Sequence, residues 1–360
     1  MKSPAGAAHV TLAGFSPFQY SIAMIKLVKL LLLSLLLTMA FSPAFAKEIP
    51  LEQQMDDYTT SIRIQWHKNP FRDFESDRYF YPWLDPDSYN SSFWMGSILN
   101  MEELYDAKKF KLDSVSFYHA PKLGTELTLF SLHLKDAVHR FNLSLGFFVD
   151  FTFLSYQKGT DQLYGRSFLF STFMQVEPFI DYIYKDRLRV RVSPVKHICY
   201  HMGGDILGDP SLYDRSVEEF RDAGFEQVHL AAAYRWGWFT FHGGLSVGYS
   251  GYQKANIVNV MNMNAGTELR FPIWGEINLL AGFLAGVNLD LLNTVSRPAA
   301  GTGYTVTAAS YEWTLQVAVG LGVEIYRMVF GLKYELQRSR QMYAYRRMEQ
   351  RLGFAATLFL

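Results

Sequence analysis

From Trp313 to Leu360 apolar residues recur at every second position. Trp313, Leu315, Val317, Val319, Leu321, Val323 and Ile325 alternate with Thr314, Gln316, Ala318, Gly320, Gly322 and Glu324. After a tight Tyr326-Arg327 join the rhythm resumes with Met328, Phe330, Leu332, Tyr334 and Leu336, and the chain ends on Leu352, Phe354, Ala356, Leu358 and Leu360. Side chains alternate faces along a strand, so each segment has one apolar and one polar or small face. Half-buried strands of soluble proteins run to about 5–6 residues, whereas a tilted strand crossing an outer membrane needs about 9–11. These segments reach or exceed that length. The pattern predicts an all-β, antiparallel, up-and-down transmembrane barrel.

Placing the end of the last strand in the periplasm, as is usual for such barrels, orders the rest. Strands are expected at 351–360, 327–337, 312–325, 276–290, 256–271, 238–250, 225–235, 187–201, 172–184 and 141–153. Short turns fall at Tyr326-Arg327, from Pro272 to Gly275, at Trp236-Gly237 and at Lys185-Asp186. Long outer loops fall at 338–350, 291–310, near Gly251, 202–224 and 154–166. Further strands at 124–134 and near 92–101 bring the barrel to about 12 strands, within a range of roughly 10–14, and the even-number rule favours that total. Residues 91–360 make the barrel. Residues 47–90 lack sustained alternation apart from Ile62, Ile64 and Trp66, and stand as a periplasmic segment, an extra hairpin or a lumen plug.

The N-terminus adds an address. Lys26 and Lys29 precede an apolar run from Leu30 to Leu37, followed by Ala44-Phe45-Ala46 before Lys47. That order reads as a secretory signal peptide over residues 1–46, with the true start at Met24. Together with the barrel pattern it places the mature chain in the bacterial outer membrane. Outer-membrane lipids and the general barrel-assembly machinery are then its expected partners, with small solutes in the lumen. Lys plus Arg number 34 against 34 Asp plus Glu, which argues against a nucleic-acid partner. Aromatic residues at 16% suit girdles at two membrane interfaces. The single Cys199 excludes an internal disulfide framework, and no cofactor is expected.

Several elements resemble a bacterial envelope family known as domain of unknown function 1207. Tyr81-Pro82-Trp83-Leu84-Asp85-Pro86 is similar to its Pro-Leu-x-Ala-Asp-Pro-Arg element. Arg187-Leu188-Arg189-Val190 and the run from His197 through Cys199, Tyr200 and His201 to Asp205 resemble its Arg-Leu-Arg-Leu and His-x-Ser-Ser-His-Leu-Gly-Asp-Glu core. The segment from Tyr334 to Leu360 is similar to its final hairpin. Cys199 and Tyr200 stand where that family has two Ser, and one extra residue separates Gly203 from the Asp. The resemblance implies an outer-membrane barrel and no particular activity.

Strict alternation along 187–201 would place Arg187, Arg189, Arg191, Ser193, Val195, His197, Cys199 and His201 in the lumen, with Leu188, Val190, Val192, Ile198 and Tyr200 towards lipid. His229 is expected roughly opposite His197, with His242 within a couple of residues of pairing with His229. The bland reading is a lumen polar network in which Arg189 and Arg191 pair with Glu177 and Asp181. A sharper one makes Arg187, Arg189, Arg191, His229 and His242 a selectivity lining that favours anions. His197, Cys199 and His201 also form a weak metal-ligand alternative, since imidazole and thiolate suit zinc or copper. The first functional expectation is therefore a porin-like channel, or a structural or surface barrel, without enzymatic activity. The alternative is an outer-leaflet lipid hydrolase using His197, Cys199, His201 and Asp205. The chain has no G-x-S-x-G elbow, P-loop or dinucleotide fingerprint.

Overall fold

Residues with left-handed backbone close one end of the molecule. In the computed structural model, Lys185 and Asp186 both have φ of 50°, Gly237 61°, Gly275 53° and Tyr326 57°. Such residues make the tight turns whose twist matches that of paired strands. The structure describes residues 62–67, 70–71, 80–99, 114–134, 138–157, 166–202, 222–250, 257–296, 305–340 and 348–359. All belong to the unit Thr60–Leu360. The expected signal peptide lies outside the described residues.

Thirteen strands are described: β1 (Arg63–Trp66), β2 (Ser91–Ile98), β3 (Ser114–Leu134), β4 (His139–Gln157), β5 (Arg166–Tyr184), β6 (Leu188–Met202), β7 (Asp222–Trp236), β8 (Phe239–Gly248), β9 (Ile257–Trp274), β10 (Ile277–Ser296), β11 (Thr305–Ile325), β12 (Met328–Arg338) and β13 (Met348–Leu358). From β3 to β13 each pairs antiparallel with the next, and β2 joins β13 to β3. That closes a barrel of twelve strands, the architecture read from the alternation. The extra strand β1 lies on β3, from Arg63 opposite His133 to Trp66 opposite Phe130, beyond the stretch that β2 occupies.

Strand ends differ from the sequence reading where alternation is a poor guide. β10 and β11 pair as far as Ser296 and Thr305, shortening the loop expected at 291–310. β9 continues through Pro272 to Trp274, so the turn is Gly275-Glu276. Ladder hydrogen bonds need no apolar face, so a strand can outrun its amphipathic pattern.

Exposure is inverted relative to a soluble protein. Leu143, Phe147, Phe283, Val319, Leu321 and Leu332 are exposed on the outside, while Asn142, Ser144, Glu177, Asn278 and Gln316 are buried inside. Trp236, Trp238, Trp274 and Tyr326 cluster at the short-turn rim, and Tyr311 and Trp313 lie further along the wall. This is the apolar band with aromatic girdles that a bilayer requires.

A segment of the chain occupies the lumen. Between Phe80 and Asn90 the chain is bonded to opposite walls, which it can do only from inside the barrel. Leu84 N donates to Glu268 on β9 at 3.0 Å, Lys333 on β12 donates to Trp83 O at 3.3 Å, and Lys122 on β3 donates to Pro86 O at 2.9 Å. Tyr89 OH donates to Glu177 on β5. Tyr81, Trp83 and Leu84 pack with Leu280, Leu284, Ala318, Val329 and Phe359 in one apolar cluster. These inward Leu, Ala and Val are among the exceptions to a polar lumen, and the plug is their partner. A β-carbon at Gly320 would lie 2.7 Å from both Leu84 and Trp83, so this close approach needs a bare backbone.

Candidate functional site

On β6 the inward positions are Arg189, Arg191 and Ser193, and then the phase changes. Val192 pairs with Ile180 and His197 with Val176 on β5, so one extra residue is inserted on β6. On the other side Ser193 pairs with His229 and Lys196 with Gln227, which again leaves one residue over. Pro194 has no N–H to offer a ladder, so a bulge forms there. Ser193 Oγ lies 2.8 Å from Pro178 O and 3.0 Å from Val195 O, holding the bulge.

The bulge corrects the expected facing of the site. Beyond it Lys196, Ile198 and Tyr200 turn inward, and His197, Cys199 and His201 lie on the outer wall. A one-residue slip exchanges the two faces of a strand. Inside, Tyr200 packs edge-on to Phe173, with ring centroids 4.8 Å apart, and against Phe225 at 6.2 Å, giving the segment an aromatic backing.

Outside, three side chains connect in series. His197 Nδ1 lies 3.0 Å from Glu226 Oε1, and its Nε2 lies 2.9 Å from Cys199 Sγ. An ionised carboxylate only accepts hydrogen bonds, so in the neutral ring Nδ1 carries the proton and Nε2 is left to accept from the thiol. Glu226 lies directly across from His197 on β7. Gly224, opposite Cys199, leaves room beside the sulfur: a β-carbon there would come only within 3.9 Å of Sγ. Around the array the wall is apolar, with Val176 opposite His197 and Met174 opposite Cys199. The chemistry is that of a nucleophile, a base and an orienting acid.

Glu226 is the member that sequence reasoning did not find. The expected acid, Asp205, lies outside the described residues. The expectation of His229 opposite His197 rested on a loop over 202–224; β7 instead begins at Asp222, and with the bulge in β6 the register sets Glu226 opposite His197. The structure pairs His229 with Ser193, faces it inward, and sets its Nδ1 2.6 Å from Glu177. His242 pairs with Ala233, four residues from the partner of His229 rather than within two, because β7 and β8 join directly at Gly237-Trp238.

The arginine ladder is likewise altered. Arg187 is exposed in the short turn, where its N–H closes the turn onto Tyr184 O at 3.0 Å, so it does not line the lumen. Arg189 and Arg191 are buried inside and both pair with Asp181 and Glu126. Glu177 binds His229 and Tyr89 instead. Arg189 also reaches the plug, with Phe80 O at 3.4 Å and the Tyr81 ring at 4.6 Å. Among the described residues, no three His, Cys, Asp or Glu side chains converge as a metal site.

No family model matches the chain, and no curated protein matches it. Among solved structures it is similar to outer membrane phospholipase A from Escherichia coli, with 13% identity, a TM-score of 0.43, and coverage of 82% of this chain and 94% of that one. It is also similar to LpxR from Salmonella typhimurium, at 11% identity and TM-score 0.39 over 76% of this chain and 100% of that one. The TodX deltaS2S3 mutant monoaromatic hydrocarbon channel is similar at 10% identity and TM-score 0.31, over 81% of this chain and 92% of that one. These likenesses concern barrel architecture alone. The chain is a twelve-stranded β-barrel of the outer-membrane type, with a segment of its own chain bonded inside the lumen and an outward-facing Cys–His–Glu array.

Proposed function

We propose that this barrel is a thiol-dependent hydrolase of ester-linked acyl chains in the outer leaflet of the outer membrane. The observation that carries the reading is the Cys199–His197–Glu226 array on the lipid-facing wall. Its depth supports the choice of substrate. Glu226 lies eleven positions along β7 from the short turn at Gly237. At about 3.3 Å per residue and a tilt near 40°, that is roughly 25–30 Å above the periplasmic rim, against an apolar band of about 25 Å. The array therefore sits where acyl chains join their headgroups on the far side.

In the reaction His197 Nε2 takes the Cys199 proton as sulfur attacks the acyl carbonyl. The tetrahedral adduct collapses by breaking the C–O bond, and His197 returns the proton to the leaving alkoxide. Water, deprotonated by His197, then cleaves the thioester, releasing a fatty acid and restoring the thiol. Glu226 holds the ring and stabilises its protonated form. The resemblance to domain of unknown function 1207 places Ser at position 199, an exchange of one nucleophile for another. The porin-like reading loses ground because Arg189 and Arg191 are paired with carboxylates and the plug crosses the lumen.

The test is turnover of phospholipid and lipid A-type acyl esters by the purified barrel in mixed micelles. Cys199→Ala and His197→Ala are expected to abolish fatty-acid release while the barrel stays heat-modifiable on gels. Glu226→Gln, which keeps an acceptor for Nδ1, should cost less than Glu226→Ala. Turnover that survives Cys199→Ala, or no release from any of these esters, would overturn the reading.

A further inference from the structure

The outer array and the inner plug meet across one strand. Lys196 is the residue before His197 and points the opposite way, into the lumen, where its side chain is 3% exposed. Its Nζ lies 2.8 Å from Asp87 Oδ2 on the plug. Asp87 is itself fixed: its N–H donates to Asp85 Oδ1 at 2.9 Å, and Ser88 N donates to Asp85 O at 3.1 Å, a turn closed on an Asp side chain. Arg340, beyond β12, grips the same turn through Asp87 Oδ1 at 2.6 Å and Pro86 O at 3.2 Å.

Lys196 lies where β6 is weakest. From Ser193 to Lys196 the strand has no register partner on β5, and on β7 pairing resumes only at Lys196. The backbone carrying His197 and Cys199 is thus supported on one side just before the site. An ion pair at that residue, buried at its lysine end, replaces the missing ladder bonds with a side-chain anchor. Its position sets the pitch of the next two residues, and hence the aim of His197 at Cys199.

We infer that Asp87 and Lys196 form a clamp through which the plug positions the outward Cys199–His197 pair, so that the wall site works only when the plug is seated. The inference rests on the hydrolase reading and assigns Asp87 and Lys196 as positioning residues that never touch substrate. It gives the plug a second role besides closing the lumen.

The experiment is a double-mutant cycle read by the alkylation rate of the single cysteine with iodoacetamide, on full-length barrel in detergent. His197→Ala should slow alkylation of Cys199, because the imidazole draws off the thiol proton. Asp87→Asn should slow it by about tenfold or more, since small misplacements of reacting groups cost on that order. In the Asp87→Asn background His197→Ala should then have little further effect, a non-additivity that mere loss of stability does not produce. Asp87→Glu should restore part of the rate. Lys333→Gln, which removes one contact to Trp83 O on the opposite wall but leaves the Asp87–Lys196 pair and the seat beside β6 intact, should leave the dependence on His197 in place. If His197→Ala changes nothing in the native background, the hydrolase reading fails and the clamp with it. If His197 matters but the two substitutions simply add, the clamp alone is overturned.

Discussion

Gly320 shows how a single missing side chain admits the plug. The β-carbon it lacks would collide at 2.7 Å with Leu84 and Trp83, whose burial makes them the apolar anchor of the lumen segment. A second close approach is of the same kind: a β-carbon at Gly146 would lie 2.8 Å from the ring of Tyr89. Replacing a buried Trp such as Trp83 by Ala typically costs about 3–5 kcal/mol, so the anchor is a large term in seating the plug. Gly320→Val should therefore displace the segment while the barrel wall, whose ladder bonds are untouched, stays folded. The expected outcome in planar bilayers is ion conductance from Gly320→Val and a silent native barrel; an equally silent variant would contradict it. The sequence does carry a trace of this anchor. Leu280, Leu284, Ala318 and Val329 are apolar on the polar phase of their strands, a sign that something apolar faces them from within.

Among elements, β6 decides where the chemistry stands. Strand order, turn positions and inward and outward faces of β4, β10 and β11 follow directly from period-two alternation, because lipid on one side and packed polar groups on the other select strongly at each residue. The segment from Val192 to Tyr200 carries no such contrast: Val192, Pro194, Val195, Ile198 and Tyr200 put apolar side chains on both faces. A phase slip there leaves no mark in the pattern, and it moved His197, Cys199 and His201 from the expected lumen to the wall. Deleting Val195 tests the bulge directly. Without its extra residue the strand should regain regular pairing with Ser193 and Lys196 both inward, so Cys199 should stay on the outer wall and keep its reactivity towards iodoacetamide in the folded barrel. Loss of the native rate would mean that the bulge does more for the site than shift the phase of the strand.

At the scale of the whole molecule, the plug is held by charge as well as by apolar packing, and charge makes its seating depend on pH. Burial alone would raise the Asp87 carboxyl, but Lys196 and Arg340 outweigh it and hold the group below the ordinary carboxylate range. Lys122 faces the same turn through Pro86 O and Ser88 O, and Asp150 shares Arg340 with Asp87 at 3.5 Å. A carboxyl lowered by docking contributes fully above its free pKa of about 3.9, and the contribution fades as pH falls below that. Tyr89 acts at the other limit. Burial and the neighbouring Glu177 push its phenol well above the ordinary value, so docking favours the neutral donor and weakens once pH passes the free value of about 10. Asp87 and Tyr89 together thus favour the seated plug most between about pH 4 and pH 10. Conductance of the native barrel is expected to be absent at pH 7 and to develop on acidification below about pH 4, whereas Asp87→Asn should already open part of the time at pH 7 and respond less to acid. A native barrel that conducts at neutral pH, or an Asp87→Asn barrel as silent as the native one, would show that this carboxylate does not hold the lumen closed.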